Sequence, residues 1–317
     1  MKLKTIEVIR SLGAVGVIAL VAGFLFFSRL RRFAGTPKGM LAVGVVLLAA
    51  LAIAWFSPKP GMVGSWGGTG GRSEAKGRLS AVPQASPSLG SLPSPISGTN
   101  YQLVWSDEFN GTSVDTSKWN KVGPWGKPVS STWANFSYLT SNVSEANGLA
   151  TITVHKSGSN WTGGILSTDT TKQFQYGFVE VRAKLPKGQG FWPAIWMYGS
   201  NTSVDELDIM EFLGGDPTTV YQTYHYDPGG QNQVQVKSSD WTTGYHLFQM
   251  LWQPGQITFY IDNVETGSWT TNVPAEPMYL MLNFDVGGPN DWGGAPNRST
   301  PTTATFNVDY VRVYQLS

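Results

Sequence analysis

Twelve residues, Val204 to Gly215 (VDELDIMEFLGG), set the first constraint on how this chain folds. They hold four carboxylates within seven positions, Asp205, Glu206, Asp208 and Glu211, interleaved with Leu207, Ile209, Met210, Phe212 and Leu213. The apolar residues demand burial, whereas an acid inside such a run is costly unless a partner or a cleft receives it. Strand side chains alternate with a period of two, so Glu206 and Asp208 share a face. Glu211 falls on the opposite face of a regular strand. One extra residue absorbed by a β-bulge near Ile209 or Met210 returns it to the acidic face. A short capped helix is the alternative, and there the two glutamates diverge. Three close carboxylates push their proton affinities apart, leaving one ionised and able to attack and another protonated and able to donate. That division suits glycoside hydrolysis. Residue chemistry alone admits a metal site or a charged strand edge equally well.

From Tyr101 onward the chain reads as short strands separated by turn residues. The expected strands are 102–105, 149–155, 163–167, 177–184, 191–198, 207–213, 220–226, 244–252, 256–261, 278–284 and 303–314. Asn147-Gly148, Pro228-Gly229 and Pro254-Gly255 punctuate them, as do four Gly-Gly pairs. Long helices are absent from the pattern, so the fold class is all-β, a sandwich or barrel. In VYQTYHY, Tyr221, Thr223 and His225 share one face and Gln222, Tyr224 and Tyr226 the other, and one of the two sets faces the acids if this strand pairs beside them. Asn290, Asp291 and Trp292 lie in a glycine-flanked loop (GGPNDWGG), where a tryptophan either closes one end of a cleft or simply plugs the loop. Trp192, Ala194 and Trp196 share a parity in FWPAIW, and tryptophans at strand spacing are more often core than ligand contacts.

The first third of the chain is different. Residues 11–27 and 40–56 are uncharged apolar runs of spanning length. Arg29, Arg31, Arg32 and Lys38 between them mark a cytoplasmic loop. Residues 1–57 therefore read as a membrane hairpin, 58–99 as a Gly/Ser/Pro-rich linker and 100–317 as the globular domain. A retained anchor is favoured over a cleaved signal, and the expected localisation is the cell membrane with the domain outside the cytoplasm. Residues 100–317 carry eleven Lys and Arg against nineteen Asp and Glu. That acidic balance argues against a nucleic-acid partner. With no cysteine, disulfides and thiolate chemistry are excluded. Three dispersed histidines, His155, His225 and His246, argue against a catalytic zinc triad.

Several stretches in order give a resemblance. The acidic strand reads E-x-D-x-x-E (Glu206, Asp208, Glu211), preceded by KLPKGQGFWPAIWMYG. LVWSDEFNGTSVDTSKWN lies near the start of the domain, WQPGQITFYIDN later and FNVDYVRVYQ at the end. Together they resemble glycoside hydrolase family 16, in its laminarinase-like branch with the bulged motif. The resemblance implies a concanavalin-like β-jelly-roll sandwich with a concave cleft, and retaining endo-hydrolysis of β-1,3-glucosidic bonds in β-glucans. It implies Glu206 as nucleophile, Glu211 as acid/base and Asp208 as the assisting acid. It makes Trp192 a sugar-stacking wall, leaves Trp196 as core, and matches His225 to a histidine close to the acids. No cofactor is expected for catalysis. A structural calcium is implied on the convex side at Glu108, the Gly148 carbonyl and Asp309. The expected partners are a β-glucan and the membrane, with the protein a monomer. EFLGGDPTT and WQPGQITFYID are similar to the mixed-linkage β-1,3-1,4-glucanase branch, which lacks the extra residue between the acids. Mixed-linkage cleavage, transglycosylation and, at lower rank, galactan cleavage remain alternatives. A non-catalytic membrane-anchored glucan-binding domain is a further one.

Overall fold

A computed structural model describes residues 92–124, 135–199, 205–226 and 229–317. The two apolar segments, 11–27 and 40–56, and most of the linker lie outside the described residues. No helix among the described residues is long and apolar enough to cross a membrane.

The described residues form fifteen strands and two short 3-10 turns, with no α-helix among them. In chain order the strands are β1 (Tyr101–Asp107), β2 (Phe136–Tyr138), β3 (Val143–Ala146), β4 (Leu149–Ser157) and β5 (Asn160–Ser167). Next come β6 (Gly177–Lys184), β7 (Phe191–Gly199), β8 (Glu206–Phe212), β9 (Thr219–Tyr226) and β10 (Gly230–Lys237). The chain ends with β11 (His246–Gln253), β12 (Gln256–Ile261), β13 (Val264–Trp269), β14 (Met278–Val286) and β15 (Thr303–Leu316). Hydrogen-bonded neighbours run β10-β9-β8-β7-β14-β5 and continue β4-β15-β6-β11-β12-β13. The two runs form the layers of a sandwich. Apolar side chains from both, among them Ile195, Met197, Leu207, Val220, Phe248, Met250 and Phe259, are fully buried in one cluster between them.

Turn chemistry fixes the hairpins. Asn147 and Gly148 both take positive φ, +55° and +76°, between β3 and β4. This is the backbone of a two-residue turn whose twist matches its strands. Asp262 and Asn263 do the same between β12 and β13, at +52° and +66°. The segment from Leu92, inside the stretch that composition assigned to the linker, packs on the domain. Ile96 is buried with Tyr101, Phe178 and Tyr314 in a second small cluster on the outer side of β6 and β15. Phe178 and Glu180 are therefore buried, although they lie on the face of β6 that alternation marks as the more polar. Gln249 and Tyr310 donate hydrogen bonds to Glu180 there.

Candidate active site

The acidic strand β8 lies between β7 and β9, and its bulge is present. Against β7, Ala194 pairs with Glu211, Ile195 with Met210 and Trp196 with Asp208, which leaves Ile209 without an opposite number. Against β9, Asp208 pairs with Thr223 and Glu211 with Tyr221, so three steps on β8 match two on β9. Paired residues project to the same face of a sheet. One face thus carries a row of His225, Glu206, Tyr198 and Tyr279, a row of Thr223, Asp208, Trp196 and Met281, and a row of Tyr221, Glu211, Ala194 and Asn283. Ile209 and Met210 are buried at the bulge.

A bulge leaves backbone groups without ladder partners. Here Gln222, fully buried on the opposite face of β9, donates from Nε2 to the Ile209 carbonyl at 2.8 Å and to the Tyr260 carbonyl at 3.3 Å. Thr266 donates to its Oε1 at 2.6 Å. One side chain thereby ties the bulge to β12 and β13 of the other layer. Replacing Gln222 by leucine keeps the volume but orphans the Ile209 carbonyl, at a stability cost of about 1–3 kcal/mol. The expected result is a lower melting temperature. A fall in kcat of up to about 100-fold should accompany it if the bulge drifts by an ångström. Thermal melts and steady-state kinetics on the same preparation check both.

Burial raises the proton affinity of all three acids. Asp208 is held well above the usual carboxylate range by desolvation and by the Glu206 charge. Glu211 is held well above it by desolvation and then by Asp208, against a hydrogen bond from the Trp192 ring N–H to its Oε1 at 3.1 Å. Glu206 is also raised by desolvation, but His225 and a hydrogen bond from Asp208 pull it back. His225 Nε2 lies 3.1 Å from Asp208 Oδ2 and 3.8 Å from Glu206 Oε1. The carboxyl of Glu206 is thus raised less than those of Asp208 and Glu211, and Asp208 is hydrogen-bonded to Glu206.

The residues expected to bind substrate gather around these acids. Trp292, 46% exposed, packs edge-on against Tyr221 at 4.5 Å and against Trp192 at 5.8 Å. Thr223, in the row of Asp208, is fully buried, and its hydroxyl accepts from its cross-strand neighbour Gln233 Nε2 at 3.1 Å. Trp196, expected in the core, is half-buried and only partly packed against it. Its row is that of Asp208, and its ring N–H donates to Asn283 Oδ1 at 2.6 Å. Regular alternation from Trp192 requires this, and β7 has no irregularity of its own to turn one ring inward. Sequence reasoning did not single out Tyr138, Gln233, Asn283 or Asp285, which come from segments distant in the chain.

The three positions of the calcium expectation do converge. Glu108, Gly148 and Asp309 line one cavity together with Arg182, Tyr245 and Tyr310. Both carboxylates there already face a cation. Arg312 donates to Glu108 from Nε at 2.9 Å and from Nη2 at 2.7 Å, and Arg182 forms an ion pair with Asp309. Calcium favours several unshared oxygen ligands, so this donor set, occupied by two guanidinium groups, is a poor fit. Dialysis against a chelator is expected to leave the melting temperature unchanged. A marked drop, reversed by added calcium, would show instead that the ion displaces the arginines.

Comparison with known proteins bears on this geometry. The family model of glycosyl hydrolases family 16 matches residues 130–312. A glucan endo-1,3-beta-glucosidase A1 of Niallia circulans is 34% identical over 266 residues, spanning 69% of this chain and 38% of that protein. An endo-1,3-1,4-beta-glycanase of Rhizobium meliloti is 34% identical over 170 residues, spanning 52% of this chain and 36% of that protein. The chain thus spans well under two thirds of both curated relatives. Among solved structures, the catalytic domain of an endo-1,3-beta-glucanase (laminarinase) from Thermotoga petrophila matches with a TM-score of 0.62 at 30% identity. That match covers 68% of this chain and 98% of the other. The sandwich shares the fold of that laminarinase catalytic domain, and the family match spans the strand that carries the row of acids. The chain belongs to glycosyl hydrolases family 16.

Proposed function

We propose that the protein cleaves β-1,3-glucosidic bonds inside β-glucan chains with retention of anomeric configuration. The observation that carries this reading is the bulged row of Glu206, Asp208 and Glu211 on one sheet face, walled by Trp192, Tyr221 and Trp292. Ionised Glu206 attacks the anomeric carbon and forms a glycosyl-enzyme. Protonated Glu211 gives its proton to the departing glycosidic oxygen, then takes one from the water that releases the sugar. Asp208 keeps its own proton and donates a hydrogen bond to Glu206, holding that carboxylate in place while His225 steadies the pair. The smaller upward shift of Glu206 supports its assignment as the attacking group, and the larger shifts of Asp208 and Glu211 support their assignment as proton-bearing groups. No residue in this sequence of steps needs a cofactor.

Mixed-linkage cleavage is the second reading, favoured by EFLGGDPTT and WQPGQITFYID and compatible with the Rhizobium relative. The bulge, which that branch lacks in the resemblance drawn above, ranks it below β-1,3 cleavage. Incubation with laminarin, barley mixed-linkage glucan and agarose, following reducing ends and product lengths, separates these substrates. Rapid shortening of laminarin supports the proposal. Faster cleavage of barley glucan transfers the protein to the mixed-linkage branch. Binding without cleavage of any polymer returns it to a glucan-binding role. The uncharged apolar runs at 11–27 and 40–56 support, as part of the same proposal, attachment to the cell membrane with the domain outside the cytoplasm.

A further inference from the structure

A fourth acid lies on the face that holds the catalytic row. Asp285 of β14 pairs with Trp192 of β7, and Asn283, two residues before it, pairs with Ala194 in the row of Glu211. Register therefore puts the Asp285 side chain on the same face as the acids. It is half-buried there, while Leu282, Phe284 and Val286, of opposite parity, are fully buried in the core. Strands in a sheet lie about 4.8 Å apart, so β14, two strands from β8, sets Asp285 roughly 10 Å from the catalytic row. That is too far to take part in bond cleavage and within reach of a neighbouring sugar.

The position is built rather than incidental. Tyr138 donates a hydrogen bond to Asp285 Oδ1, and Asn283 donates to the Tyr138 hydroxyl at 3.2 Å. Trp196 donates in turn to Asn283. A chain of hydrogen bonds thus crosses the floor of the face from the Asp208 row to Asp285. Tyr138 reaches this spot because β2 lies beside β5, with Tyr138 opposite Gly163. A Cβ at Gly163 would come within 2.1 Å of the Phe284 carbonyl and 2.7 Å of the Phe136 ring, so only glycine lets these segments close up. Burial raises the Asp285 carboxyl to about 6, against the hydrogen bonds from Tyr138 and Asn283. Hydroxyl groups of a ligand would supply donors to the partly exposed carboxylate. A carboxylate offers acceptors on two oxygens, which matches two adjacent hydroxyls of a pyranose. The half-exposed Trp192 ring on the neighbouring strand offers the flat apolar surface that the C–H face of the same ring requires.

We propose that Asp285, held by Tyr138 and set beside Trp192, forms a sugar-binding subsite for a glucosyl unit beyond the one being cut. The subsite makes the enzyme selective for longer chains. The proposal rests on the reading of this face as a β-glucan cleft. Parent and Asp285→Ala full-length proteins are compared on laminari-oligosaccharides of increasing length. The parent should gain in kcat/KM at the length that first fills the subsite. Asp285→Ala should lose that gain, about tenfold, while shorter oligosaccharides are cleaved at the parent rate. Tyr138→Phe should lose part of it, and Asp285→Asn, which keeps one acceptor, should fall between parent and alanine. An unaltered length dependence overturns the proposal. So does a uniform loss at every length together with a lower melting temperature, which assigns Asp285 to stability alone. The same oligosaccharides titrated onto Glu206→Gln proteins, with and without Asp285→Ala, read binding in the absence of turnover. If the parent cleaves nothing but the length-selective loss of binding persists, the hydrolytic reading fails and the subsite stands. If Asp285→Ala leaves binding at every length unchanged, or no oligosaccharide binds, the subsite is refuted.

Discussion

Glu211→Gln is expected to lower kcat on laminarin by about 10²–10⁴-fold, the usual contribution of a positioned general acid. The amide cannot protonate the departing sugar oxygen. A substrate whose leaving group needs no proton, such as an aryl glycoside with an acidic phenol, should lose far less in the glycosylation step. That contrast separates a missing acid from a damaged fold. The same variant should be more stable than the parent at neutral pH. Desolvation and Asp208 raise the folded-state pKa of Glu211 well above its ordinary value, so the folded protein binds that proton more tightly than the unfolded chain does. The resulting stabilisation is fully present below the unfolded pKa of about 4.3 and is lost as pH rises towards the folded value. Glutamine removes the loss. The gain in melting temperature should grow with pH above about 4 and vanish below it. Melts at a series of pH values check the sign.

Glu206→Gln is expected to have the larger effect on turnover, with hydrolysis of both laminarin and the aryl glycoside falling below detection. The difference between the two glutamates is one of chemistry. An acid can be spared by a good leaving group, whereas a nucleophile that forms the covalent intermediate is needed for every substrate. Binding should survive, because Trp192, Trp292 and Tyr221 remain, and tryptophan fluorescence titrated with laminari-oligosaccharides reads it. Residual hydrolysis of the aryl glycoside at the level of Glu211→Gln would show that the two roles are wrongly assigned.

The parts of this site legible in the sequence are those that one segment carries by itself. The parity of Glu206, Asp208 and Glu211 required a bulge, and the register places it at Ile209 and Met210. The strand 256–261 and the turn at Asn147-Gly148 follow from local pattern and turn chemistry in the same way. What local pattern does not carry lay beyond reach. β10 (GQNQVQVK) is a polar strand at the end of the strand path with weak apolar alternation, and β13 follows an Asp262-Asn263 turn that lacks the usual glycine. β2 is three residues long and pairs in parallel with β5, a pairing without a sequence pattern of its own. Asp285 lies in a run of core residues, MYLMLNFDV, and only its pairing with Trp192 shows which way it faces. Arg182 and Arg312 stood in the sequence without a hint that they meet Asp309 and Glu108, because each pairing depends on strands brought together by the fold.

The central claim is that Glu206 forms a covalent bond to the sugar and Glu211 does not. The most direct measurement is peptide mass mapping of the full chain after incubation with an activated 2-deoxy-2-fluoro laminaribioside, whose glycosyl-enzyme turns over slowly. The account predicts one added 2-deoxy-2-fluoro-laminaribiosyl group, two sugar rings in mass, on the peptide containing Glu206, lost in Glu206→Gln and kept in Glu211→Gln. An adduct on Glu211 or Asp208, or an active enzyme that forms no adduct and releases the α-anomer first, would contradict it.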